Sequence, residues 1–78
     1  MDEKLKAELI SSMTDLKRLI KSKNIKLKEA QLRVRAFNNI VISQKLNKLA
    51  AFYPREEKEL PMLGDHISSI TLKGLEKL

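Results

Sequence analysis

Between Leu5 and Ile20 an apolar side chain returns every third or fourth residue: Leu5, Leu9, Ile10, Met13, Leu16, Leu19 and Ile20. Such a series falls on one side of a helix but alternates between the two faces of a strand, so only a helix buries it together. The spacing predicts an amphipathic helix over residues 3–21. Lys21 and Lys23 lie near its C-terminal end, where cations favour the helix dipole. Asn24 is expected to take the left-handed conformation that closes a helix.

Leu27, Ala30, Val34 and Phe37 make the next stripe, which predicts a second helix over 26–37; Leu32, Ala36 and Ile40 widen its face. Asn38-Asn39 is the expected turn. Leu46, Leu49, Ala50 and Tyr53 again share one helical face, so a third helix is expected to begin after Asn39, or after Ser43 as N-cap. It ends before Pro54, whose ring clashes with the preceding turn and which lacks an N–H. Glu56 and Glu57 suit the positive end of a short fourth helix near 55–62. Asp65 is the expected N-cap of a last helix with Ile67, Ile70, Thr71 or Gly74, and Leu78 facing inward. The expected fold is all-α: a single domain, 1–78, built as a compact bundle of four to five short helices.

Composition narrows the function. A chain of 78 residues has room for one core and buries only about 60% of its unfolded surface. With no cysteine there is neither a disulfide framework nor a cysteine-based zinc site, in keeping with a reducing cytoplasm. The longest apolar runs, Ile40-Val41-Ile42 and Ala50-Ala51-Phe52, fall far short of a membrane span. Met1-Asp2-Glu3 is acidic and no long apolar block follows, so no signal peptide is expected. Glycine occurs only at 64 and 74, which excludes a phosphate-cradling glycine loop. His66 is the single histidine, so His-pair metal sites are excluded and the residue is expected to pack or cap. Glu56, Glu57 and Glu59 read as a solvated helix start rather than a metal or acid–base site. No catalytic residue, metal site or cofactor is expected.

Charge is the stronger functional signal. The net charge of +6 is concentrated in residues 17–48, where ten basic residues oppose the single acid Glu29. Those residues are Lys17, Arg18, Lys21, Lys23, Lys26, Lys28, Arg33, Arg35, Lys45 and Lys48; the flanking segments carry −2 and −1. Neutralising closely spaced phosphates releases condensed counterions, so such a segment favours nucleic acid over a merely solvated surface. The ten form the candidate pool of phosphate contacts, of which only some can face one surface. Gln44 and Asn47, beside Lys45 and Lys48 on the expected third helix, add groups able to bond base edges. Phe37, Phe52 and Tyr53 are expected in the core, Phe52 being the most exposed of the three.

The segment from Leu46 to Gly64 also resembles the HRDC domain of RecQ-type helicases and RNase D. Leu46, Leu49, Ala50 and Pro54 match its Leu-x-x-hydrophobic-Ala-x-x-x-Pro pattern. Glu59, Leu60, Leu63 and Gly64 match the following Glu-Leu-x-x-hydrophobic-Gly pattern, and Gly74 stands for a final glycine. The resemblance covers about residues 40–78 and implies a small helical bundle that binds DNA by structure, single-stranded or branched, rather than by sequence. Where some members present an aromatic residue to DNA this chain has Asn38, so that contact is not carried over. Together with a Lys/Asn/Ile-rich composition, the likeness extends to small proteins encoded beside a recombination helicase in T4-type phages, in which case the expected cytoplasmic location is the host's.

The expectation is therefore a non-enzymatic, monomeric accessory to a helicase or a recombination or repair enzyme, acting on DNA. The main rival is a protein-interaction adapter docking on a helicase or nuclease, with Leu27 and Val34 beside Leu32 and Ala36 as the surface to inspect. A helix-turn-helix over 19–49, with Ser43-Gln44-Lys45-Leu46 in its recognition helix, ranks lower because the turn glycine is missing. Membrane-surface binding also ranks low: tryptophan is absent and the apolar stripes are needed for a core.

Overall fold

The structure is a computed structural model describing residues 2–49 and 51–78. Its first helix, α1, spans Glu3–Lys21 as the periodicity predicts, and buries Leu9, Met13, Leu16 and Ile20. Asp2 caps it, its carboxylate accepting the Lys4 N–H at 3.1 Å. At the other end Lys23 has φ 60°. The Lys23 N–H donates to the Ile20 carbonyl and the Asn24 N–H to that of Leu19, at 3.1 and 3.0 Å. This is the paired Schellman closure, and the left-handed residue is Lys23, not Asn24.

The second helix, α2, covers Leu27–Ser43 and runs straight through the expected turn at Asn38-Asn39. Its buried residues are Ala30, Val34, Phe37 and Val41, so the inner stripe continues past the asparagines. Asn39 is exposed and Asn38 half-buried, positions from which an asparagine side chain need not break the helix. A second Schellman closure ends α2, with Lys45 at φ 58°. Here the Lys45 N–H donates to Ile42 and the Leu46 N–H to Val41, at 3.0 and 2.9 Å. Ser43 is the last residue of α2 rather than an N-cap; its hydroxyl donates to the Ile40 carbonyl at 2.9 Å.

The expected third helix does not form. Residues 44–56 are turns and irregular chain where described, and Ala50, part of the expected stripe, lies outside the described residues. Leu49 and Pro54 are buried nonetheless, with Leu46, Phe52 and Tyr53 packed partly against the core. Helix-like spacing here reflects anchors on a connecting segment. The Gln31 amide donates to the Pro54 carbonyl at 3.0 Å and the Arg35 guanidinium to the Tyr53 hydroxyl at 2.9 Å. Both tethers hold the segment along one flank of α2. The segment thus returns the chain along α2.

A 3-10 turn, Glu57–Glu59, then runs into α3, Leu60–His66, a π-turn, Ile67–Thr71, and α4, Leu72–Glu76. Backbone angles stay helical at each junction, so these pieces form one continuous rod. The acidic start is as expected, but Asp65 lies inside α3 and caps nothing. Among the described residues the bundle therefore contains three helical rods instead of four to five short helices.

The π-turn has a geometric cause. The buried residues Leu63, Ile67, Thr71 and Leu75 are spaced by four, which in a pure α-helix rotates by about 40° per step. The wider turn, in which the Leu72 N–H reaches back to the Ile67 carbonyl, absorbs that drift. Ile67, Thr71 and Leu75 consequently share the buried side, whereas Ile70 and Leu78, expected inside, are 43% and 50% exposed.

The rod lies antiparallel to α1. Gly64 near its start meets Ile20 near the end of α1, and α4 packs on α1 farther along. Gly74 receives Leu49, so closely that a Cβ there would collide with the leucine Cδ2. The Cα radius of gyration is 11.7 Å, matching the roughly 11.5 Å of one folded unit of this length.

Candidate nucleic-acid interface

The last turns of α1 set Lys17 and Lys21 one turn apart, beside the buried positions Leu16 and Ile20. Left-handed Lys23 turns the chain toward Ile25, which is 8% exposed. Across from them stands the first part of the C-terminal rod. Between the two lies a groove of about 640 Å³, within the range of ligand-binding clefts. Lys17, Lys21 and Lys23 line it on the α1 side, over a floor formed by Ile20, Ile25 and Leu60. Glu57, Gly64, Asp65 and Ser68 line it from the rod. Gly64 keeps the helices close, since a Cβ there would stand 3.3 Å from Ile20 Cγ2.

Three of the ten predicted basic residues are therefore gathered in one place. The other seven are not. Arg18 projects from another face of α1 and pairs with Asp15 at 3.3 Å. Lys26 occupies the N-cap position of α2 without a capping bond, and Lys28 is exposed in its first turn; neither lines the groove. Arg33 pairs with Glu29 at 3.1 Å. Arg35 is engaged by Tyr53, its guanidinium 5.7 Å from the ring centre as well as bonded to the hydroxyl. Lys45 and Lys48 follow the C-terminal end of α2, about 25 Å along the helix axis from its start. Gln44 and Asn47 accompany them on the exposed connection rather than on a helix.

Sequence reasoning passed over the groove's rod side. Glu57 read as part of a solvated helix start and Asp65 as a cap, although a glycine inside a helix at position 64 marks a close approach. The aromatic residues lie elsewhere: Phe37 is buried, Tyr53 holds Arg35, and Phe52 is half-buried. The Phe52 and His66 rings are 5.9 Å apart and tilted by 40°, which gives the histidine a packing role. Ser43-Gln44-Lys45-Leu46 is a helix end followed by a turn, so the lower-ranked helix-turn-helix alternative loses its recognition helix.

Among the described residues no group of three or more His, Asp or Glu side chains is placed to hold a metal ion. No helix among them is long and apolar enough to cross a membrane. Comparison with known protein families, curated proteins and solved structures found no match.

Proposed function

We propose that the protein is a non-enzymatic accessory module that binds single-stranded or branched DNA through phosphate contacts, in support of a helicase or a recombination or repair enzyme. The observation that carries this reading is the convergence of Lys17, Lys21 and Lys23 on one groove. Three cations on one rim attract a polyanion with little dependence on sequence. The HRDC resemblance supports the same reading through the Glu59-Leu60-x-x-Leu63-Gly64 stretch, which sits on the rod bordering that groove.

Fluorescence anisotropy with labelled single-stranded, duplex and forked DNA, at low and physiological salt, tests it. The expected result is tightest binding to single-stranded or forked DNA, falling steeply with salt. Absence of binding at low salt overturns the proposal.

A second reading, the protein-interaction adapter, is favoured by one observation. Leu32 is 56% exposed, with Ala36 also exposed one turn on along the outer side of α2. The stripe is only partly free, because Leu27 is half-buried and Val34 buried. Loss of helicase or nuclease association in Leu32→Ser, with DNA binding unchanged, supports the adapter role.

A further inference from the structure

The groove is lined by three kinds of chemistry, and their arrangement says more than its positive rim does. Lys17, Lys21 and Lys23 stand on one side. Ile20, Ile25 and Leu60 form the floor, each 8% exposed. Glu57 and Asp65 stand on the other side, both on exposed positions of the rod. The ion pairs among the described residues are Arg18–Asp15, Arg33–Glu29 and Lys58–Glu56, so no groove lysine is in direct contact with a groove carboxylate.

An aliphatic anion would use the lysines and the floor but not the carboxylates. One unpaired nucleotide satisfies all three. Its phosphate suits the lysines, the faces of its base suit an apolar floor, and the base edge presents N–H groups to acceptors. Cytosine and adenine each offer an exocyclic amino group, the donor that Glu and Asp side chains accept from. Thymine instead places carbonyl oxygens on either side of its single N–H, which carboxylates repel.

Resting on the nucleic-acid reading above, we infer that the groove receives one unpaired base of a single strand and discriminates in favour of amino-bearing bases over thymine. Lys23 fits this role. It lines the groove beside Lys17 and Lys21, where a cation can meet the strand's phosphate.

The test is anisotropy of the full chain with labelled homopolymers of dC, dA and dT of equal length. The expected result is binding of dC and dA at least about fivefold tighter than dT. Replacing both carboxylates by amides of the same shape, Glu57→Gln with Asp65→Asn, should bring the dC:dT ratio close to one. Lys17→Gln with Lys21→Gln should weaken all three by a similar factor. Equal affinity for the three homopolymers, unaltered by the amide variant, overturns base insertion and leaves the phosphate-binding proposal standing. No binding to any of them overturns both.

Discussion

Two lysines adopt backbone conformations that glycine would take with less strain. Lys23 and Lys45, at φ 60° and 58°, each close a helix by the same pair of backbone bonds. A left-handed residue with a Cβ costs about 1–2 kcal/mol, part of which glycine returns through its greater unfolded-state freedom. Lys23→Gly and Lys45→Gly should therefore each stabilise the fold by about 0.5–1 kcal/mol, read from urea denaturation. Their effects on DNA should part: Lys23→Gly weakens binding because Lys23 lines the groove, and Lys45→Gly does not. Gly74 argues in the opposite direction. Alanine would gain about 0.8–1.0 kcal/mol of helix propensity, yet its Cβ would strike Leu49. Gly74→Ala is expected to be neutral to destabilising by about 2 kcal/mol, the cost of displacing a packed leucine. In a Leu49→Ala background the same change should become stabilising. A double-mutant cycle measures this reversal, and additive effects would show that the two residues do not press on each other.

At the scale of elements, the two features the sequence hid are the connecting segment and the π-turn. Helix 3–21 was legible because its stripe holds for more than four turns and is bounded by suitable end residues. Helix two was legible in its stripe but not in its length: Asn38-Asn39 resembles a turn until Val41 is seen to be buried beyond it. Leu46, Leu49 and Tyr53 have helical spacing, but Gln31 and Arg35 hold Tyr53-Pro54 along α2. Local periodicity does not reveal a partner twenty residues away. The π-turn makes its own prediction. It carries one residue more than an α-helix needs to keep Ile67, Thr71 and Leu75 aligned. Deleting the exposed Ser69 should convert the rod to continuous α-helix, with those residues three and four apart, and leave a cooperative thermal transition. Deleting Ser12, in the middle of α1, rotates half of that stripe by about 100° and should abolish the transition. Circular dichroism distinguishes the two.

At the scale of the molecule, the charge of residues 17–48 divides. The groove gathers three cations, two arginines are paired with carboxylates, and Arg35 serves as a tether. Charge reversal should therefore be position-dependent. Lys17→Glu or Lys21→Glu is expected to weaken single-stranded DNA binding about tenfold or more at low salt. Each lost phosphate contact should flatten the logarithmic salt dependence by about 0.7. Arg33→Glu, on α2 beside Glu29, should change the affinity little. Equal losses at all three positions would indicate diffuse attraction to net charge and would count against the groove as the interface.

The sequence by itself determined that the chain is helical, where α1 lies, that an acidic helix start follows Pro54, and that the middle of the chain is basic. Each of these follows from neighbours within a few residues: turn periodicity, the preference of acidic side chains for a helix start, and local charge count. Only the tertiary structure decided that Tyr53 and Pro54 are held along α2 without a helix there, that the last rod is one piece, and which lysines line one groove. Those outcomes depend on packing between residues far apart in the chain, as where Gly64 lets Ile20 approach and Gly74 admits Leu49. Lys17, Lys21 and Lys23 come to face Glu57 and Asp65 because α1 and the rod lie antiparallel, a relation that no local pattern encodes.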